Sequence, residues 1–432
     1  MRVFRTGEKG FERYLSMMEK RGPQDSPRIE RKVRSILENV RKQGDEAVIR
    51  YTQVFDRLRI SIHQIRVKRS EVEGAYKKVP PDFLGTLKKA TRRIQKFHQL
   101  QSKRLVPSLK EEERGIELEQ TMRPLERVGI YVPGGKASYP STVLMAAIPA
   151  KAAGVQEIVM VTPPQRGGIS PAVLVAADLA GVDRIYRVGG VQAIAALAYG
   201  TKSISKVDKI VGPGNQYVAT AKRLVYGEVD IDMVAGPSEI VIVADGSTPP
   251  SFVAADLISQ AEHDEMALAI LITSSEAFGR KVKKEVETQL SSLKRRKVAS
   301  ESLNRRGAIL IVRNLEQAME VVSRIAPEHL ELAVSRPLSL VKSVRHAGAV
   351  FLGPFTPQAI GDYMAGSNHI LPTAGTARFS SPLGVEDFVK RTNLVSLTRR
   401  ALGRFEKDIK RFAEWEGLEG HAQAVQIRVN RR

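Results

Sequence analysis

Residues 127–154, RVGIYVPGGKASYPSTVLMAAIPAKAAG, read as an apolar strand, a glycine loop and an Ala-rich helix in direct succession. The order decides the fold, because a strand that leads into a crossover helix pairs in parallel with its successor, whereas hairpin-linked strands alternate in direction. The unit recurs. EIVMVTPP, ISPAVLVAADLAGV, RIYRVGG, VQAIAALAYG and KIVGPGN follow it, and then a second series with EIVIVAD, PPSFVAADLISQAEHDE, MALAILITSS, a charged helix over 276–295, GAILIV, LEQAMEVVSRIA and AVFLG. An α/β fold with two doubly wound, Rossmann-like parallel sheets in series is expected.

On either side of this core the texture changes. Residues 1–120 read as a helical segment packed on the core, with helices at 8–20, 28–50, 70–78 and 81–101 and a polar strand near 60–67; apolar residues recur at three- and four-residue intervals in IERKVRSILENV. The first α/β unit then takes 121–236 and the second 237–355. Residues 356–432 form a small C-terminal module, rich in loops at first, with a helix near 403–417 and the tail HAQAVQIRVNRR.

With 432 residues, 42% of them hydrophobic, the chain has ample material for real cores. No run approaches the roughly 18 apolar residues that span a bilayer, and the start, MRVFRTGEKGFERY, lacks a signal-peptide core; a cytoplasmic protein without a membrane partner is expected. The chain has no cysteine, which excludes disulfides, thiolate ligands and thiol nucleophiles, so a metal must be held by His, carboxylate, amide or carbonyl oxygen, or water. The net charge of +21 invites a nucleic-acid reading, and residues 1–120 carry 29 Lys plus Arg against 17 Asp plus Glu. Yet the signs mix at helical spacing in RKVRSILENVRKQGDEAVIRY, which marks a solvated basic surface, and no nucleic-acid partner is expected.

Three glycine loops, VPGG (132–135), VGG (188–190) and GPGN (212–215), each follow a strand and precede a helix, where glycine lets the backbone approach a phosphate and the helix start supplies N–H groups. None of them matches GxGxxG, so taken alone they serve packing as readily as a dinucleotide. In SQAEHDE (259–265), Gln260 and His263 stand three apart near a helix end and point the same way, as half a metal site would. The chain's seven histidines are at 63, 98, 263, 329, 346, 369 and 421, and the settings of the last few are suggestive: APEHLEL around His329, IGDYMAGSNHILP with Asp362 and His369, and EGLEGHA with Glu416 and His421. A mixed nitrogen and oxygen set suits zinc and also admits manganese or cobalt; spacing alone does not choose the ligands.

Taken together, GIYVPGGKASYPSTVLMAAIPAKAAGV, VGGVQAIAALAYGT, KIVGPGNQYVATAKR, IDMVAGPSEIVIVAD, DLISQAEHDE, APEHLEL, GPFTPQAIGDYMAGSNHILPTAGTARF and EGLEGHAQAVQIR resemble, in order, the histidinol dehydrogenase family. The resemblance implies oxidation of L-histidinol through L-histidinal to L-histidine with two NAD and one zinc per subunit. It implies Gln260, His263, Asp362 and His421 as metal ligands; Tyr131, Gln192 and Asn215 as NAD contacts; and Ser238 and Glu416, with His329 and the metal ligands, around the substrate. It also implies a homodimer that exchanges its C-terminal module, so that Glu416 and His421 enter the partner's site. His369 is read as bracing the loop after Asp362, and Lys136 and Arg378 are given no role.

Oxidising an alcohol to an acid takes two hydride removals with hydration of the aldehyde between them, and without a cysteine water must supply the second oxygen. APEHLEL offers the proton-handling pair: His329 to accept the hydroxyl proton and Glu328, raised by a dry pocket, to activate the water. Adjacent helical residues diverge by about 100°, so the two share a substrate only near a turn, and Pro327 suggests a helix start there. The rivals are a paralogous zinc- and NAD-dependent dehydrogenase of another small alcohol and, in a different class, a basic nucleic-acid-binding protein.

Overall fold

The computed structural model describes residues 1–22, 26–105, 108–134, 138–164 and 168–430. Two parallel sheets form its centre. The first holds the strands Arg127–Tyr131, Glu157–Val161, Arg184–Tyr186, Lys209–Val211 and Asp230–Ile231 in the spatial order third, second, first, fourth, fifth. The second repeats that order with Glu239–Ala244, Leu268–Thr273, Ala308–Ile311, His329–Ala333 and Ala349–Leu352, and adds the N-terminal strand Arg2–Arg5 beside Ala308–Ile311.

Continuous apolar runs, where alternation would mark a half-exposed sheet, produce this arrangement: every residue of EIVIVA and LAILIT is buried, because helices cover both faces. Over the first sheet, Pro140–Ala153 and Pro171–Ala180 pack with the long helix Pro81–Arg104 on one face, and Gly190–Tyr199 and Gln216–Val225 pack with Pro27–Gln43 and Asp45–Asp56 on the other. The second sheet is covered by Pro250–Ala261, Glu276–Leu290 and Arg296–Arg305 on one side and by Leu315–Ile325 with Lys9–Glu19 on the other. Among the described residues no helix is long and apolar enough to cross a membrane.

Beside the core lies an antiparallel sheet in which Ile116–Pro124 pairs with both Ser108–Glu113 and Val389–Leu397. The chain then ends in two exposed helices, Arg399–Trp415 and Glu419–Asn430, whose Phe412 and Trp415 are 71% and 92% exposed.

The N-terminal segment differs locally from its sequence reading. The expected helix over 28–50 is two helices, because Gly44 takes a positive φ (+55°) between them. No strand occupies 60–67. Ser61 and Gln64 cap a 3-10 turn reciprocally at Ile62–Gln64, and only an isolated bridge joins Arg66 to Tyr186. The expected helix start after Pro327 is also absent: Leu315–Ile325 ends at Ala326, which adopts φ +49°, and His329 opens a strand inside the second sheet. Adjacent residues within a strand would point to opposite faces, but Glu328 lies in the bend just before the strand, and both residues line one cavity.

Candidate active site

A cavity of about 540 Å³ lies between the two parallel sheets. The first sheet contributes its carboxyl side: Pro133 after the first strand, Pro213, Gly214 and Asn215 after the fourth, and the start of the helix Gln216–Val225. The second contributes its amino side: Ser238 before its first strand, Glu328 and His329 at the start of its fourth, and Gln260 and His263 at the C-terminal end of Pro250–Ala261. Asp362 and Tyr363 from the short helix Gln358–Tyr363, together with His369, complete the wall. The cavity thus meets strand carboxyl ends on one sheet and strand amino ends on the other.

Residue Glu239 holds the acid–base pair in place. Its N–H donates to Glu328 Oε2 at 2.7 Å, and its carbonyl accepts from His329 Nδ1 at 2.9 Å, which turns Nε2 of His329 away from that bond. The side chain of Glu239 is itself pinned by Arg21 in a buried bidentate pair at 2.6 and 2.8 Å. Glu328 Oε2 lies 3.5 Å from His329 Nδ1. Burial raises the Glu328 carboxyl above its ordinary range. Burial works to lower His329, but the Glu328 carboxylate and then Asp362 outweigh it and push the imidazole up to about 9. The charge on each group thus sets how readily the other takes a proton. Neither Arg21 nor Glu239 was singled out in the sequence; an acidic residue opening an otherwise apolar buried strand was the available signal.

Three of the four expected metal ligands, Gln260, His263 and Asp362, line this cavity. Gln260 is 1% exposed, yet neither atom of its amide has a hydrogen-bond partner among the described residues, as an amide kept for a further group would be. Gln358 Nε2 donates to Asp362 Oδ2 at 2.6 Å, and His369 Nδ1 donates to the Asp362 carbonyl at 3.0 Å, so the loop after Asp362 is braced as its sequence suggested. Burial lowers His369, and the nearby charge of Asp362 only partly offsets this. The donor chemistry fits a cation with mixed nitrogen and oxygen ligands, one donor short. Among the described residues, no three His, Cys, Asp or Glu groups gather by themselves as a metal site.

The remaining expected residues lie elsewhere. Glu416 and His421 are exposed at the two terminal helices and do not line the cavity. Tyr131, the last residue of the first strand, and Gln192, near the start of Gly190–Tyr199, are buried and do not line the cavity; Tyr131 Oη accepts from the Gly190 N–H at 3.2 Å. Both amide atoms of Gln192 are buried without a partner among the described residues. Asn215 caps the helix that follows it, accepting from the N–H groups of Tyr217 and Val218 through its oxygen alone. Gly135 and Lys136 of the first glycine loop lie outside the described residues. The GPGN loop is fixed from behind: Asp232 accepts from the Gly212 N–H at 2.7 Å and pairs with buried Lys222, which also reaches the Gly212 carbonyl at 2.9 Å.

A sequence model of the family described as histidinol dehydrogenase matches residues 19–429. A histidinol dehydrogenase of Syntrophotalea carbinolica is 53% identical over 99% of both chains, and one of Geobacter sulfurreducens is 51% identical over 99% of this chain and 100% of its own. The crystal structure of histidinol dehydrogenase from Elizabethkingia anophelis superposes with a TM-score of 0.91 at 36% identity, covering 99% of this chain and 98% of that one.

Proposed function

The chain belongs to the histidinol dehydrogenase family, and from that premise we propose that it oxidises L-histidinol through L-histidinal to L-histidine with two NAD, in the cavity between its two parallel sheets. The observation that carries this reading is the convergence of Asn215, Ser238, Gln260, His263, Glu328, His329 and Asp362, drawn from segments up to about 150 residues apart, on one cavity. The sheets serve as Rossmann-like scaffolds: the first positions NAD through Tyr131, Gln192 and Asn215, and the second positions the chemistry.

Zinc, held by Gln260, His263 and Asp362 and by His421 of a partner subunit, would take the imidazole and amine nitrogens of the substrate and offset the charge of Asp362. The chain's own groups do the rest. His329 accepts the hydroxyl proton as the carbinol carbon gives up hydride, which leaves the aldehyde. Glu328 takes a proton from the water that adds to that aldehyde; the diol anion so formed gives up a second hydride to become the acid, which releases a last proton as the carboxylate. Burial keeps both groups dry, so their pKa values answer to each other and to the charges in the cavity. Orientation of the carbinol against the nicotinamide lowers the barrier further, by on the order of 7–11 kcal/mol in favourable cases.

The exposure of Glu416, His421 and the apolar residues around them supports the exchanged C-terminal module, because a solitary chain would leave Phe412 and Trp415 in water. A stopped assay with L-histidinol and NAD, with and without a chelator, tests the whole reading. Two NADH per histidinol and loss of turnover on chelation are expected; a different stoichiometry, or a rate indifferent to the chelator, would refute it.

A further inference from the structure

Asp56 breaks local rules without compensation. It is the last residue of the helix Asp45–Asp56, where the helix dipole disfavours an anion, and Arg57 after it holds the left-handed conformation at φ +53°. Its Oδ2 is buried with no hydrogen-bond partner among the described residues. Burial pushes the carboxyl up to about 6, with no cation offsetting it. Such a cost persists where something else uses the group.

Its surroundings point to the user. At one end of the helix Ser203 Oγ donates to Asp45 Oδ2 at 2.9 Å, close after the end of Gly190–Tyr199, and Asp56 is at the opposite end. Asp56 lies within electrostatic reach of Tyr131, whose hydroxyl is bonded to Gly190. The ammonium of Lys32 bridges the rings of Phe55 and Tyr217 at 5.6 and 5.7 Å, and so ties the end of this helix to the Asn215 loop. Two buried polar groups without partners, Asp56 Oδ2 and the Gln192 amide, thus flank the carboxyl end of the first sheet. Asp56 is not among the residues that line the cavity holding His329.

We propose that Asp56 is a further cofactor-binding and specificity residue, whose carboxylate accepts from the ribose hydroxyls of the adenosine half of NAD and repels the 2′-phosphate of NADP. The inference rests on NAD use by this site. An acidic residue that accepts from ribose hydroxyls is a recurring device of dinucleotide sites on doubly wound sheets; here the acid comes from a helix outside the sheet.

The experiment is calorimetric titration of the full-length protein with NAD and with NADP, comparing wild type with Asp56→Asn and Asp56→Ser, alongside thermal unfolding of each without cofactor. A charge-assisted hydrogen bond is worth roughly ten- to hundredfold in affinity. Both variants are expected to lose NAD affinity by about that factor and to narrow the NAD-over-NADP preference, with an unfolding midpoint equal to or above that of wild type. NAD affinity within twofold of wild type, or a lowered midpoint in both variants, would overturn the proposal. Failure of the wild-type chain to bind NAD at all would instead bring down the parent reading.

Discussion

The two parallel sheets share one strand order and present opposite ends to the same cavity. The first offers strand carboxyl ends, glycine loops and the N-terminus of Gln216–Val225, whose dipole is positive toward the cavity. The second offers strand amino ends and the C-terminus of Pro250–Ala261, whose dipole is negative toward it. One fold used in two orientations therefore builds an anion-accepting wall facing a cation-accepting wall. That division matches a phosphate-bearing cofactor on one side and an amine with a metal ion on the other. The buried charges differ as well: on the first sheet Lys222 and Asp232 are paired, whereas on the second, beside the paired Arg21 and Glu239, the carboxyls Asp256 and Glu331 meet each other.

If the chemistry sits on the second wall alone, damage there should abolish turnover while cofactor affinity stays. His329→Asn is expected to lower turnover by about 10²- to 10⁴-fold, with NAD affinity unchanged. Glu328→Gln should slow chiefly the aldehyde step, seen as histidinal accumulating in a single turnover. Equal losses in both half-reactions for both variants would erase the distinction between the two residues.

A third region, the C-terminal helices, belongs to neither wall in this chain. Mixing an inactive His421→Ala protein with an inactive His329→Ala protein should restore activity, because each mixed dimer then holds one intact site. About a quarter of wild-type activity is expected after full randomisation of a two-fold dimer. No recovery in a verified mixed dimer would return His421 to its own chain. A smaller effect is expected of Gln358→Leu, which removes the bond to Asp362 Oδ2: metal affinity, read by competition with a chelator, should fall about tenfold. Unchanged affinity would leave Gln358 no part in orienting Asp362.

Residues with local signatures were legible and residues tied by distance were not. The strand, loop and helix rhythm exposes both parallel sheets, since each crossover is written within about 30 residues. The pairing of Val389–Leu397 with Ile116–Pro124 spans some 270 residues and leaves no periodic trace. Gln260 and His263 declare themselves by helical spacing, but their neighbours did so only through the family resemblance. Arg21 and Glu239 escaped notice because an ion pair between residues 218 apart is invisible until the fold closes it. The amino-end placement of Glu328 and His329 was missed for a related reason: Pro327 signals a helix start locally, and a left-handed Ala326 with a vacant slot in the sheet overrides it.

The contrast in buried charge yields the smallest test. Glu331, 2% exposed, shares a hydrogen bond with Asp256, and burial followed by the Asp256 charge pushes its carboxyl up to about 9; burial raises Asp256 to about 6. Both are acids with folded values above their unfolded ones, so the folded chain keeps protons that the unfolded chain has released. Their contribution is complete below about pH 4 and is lost as pH rises, with the Glu331 proton alone remaining between about 6 and 9. Over that upper window the wild type should lose up to about 1.4 kcal/mol per pH unit relative to Glu331→Gln, whose amide cannot ionise. Urea unfolding of both proteins at pH 5.5, 7 and 8.5 should show the variant gaining on wild type as pH rises. On the first sheet, where Lys222 and Asp232 already neutralise each other, Asp232→Asn should do the reverse and cost stability at every pH in this range, because it leaves a buried ammonium unpaired. Parallel pH profiles for wild type and Glu331→Gln would mean that the carboxyl pair is hydrated and ionised, and that the two sheets do not differ in how they carry charge.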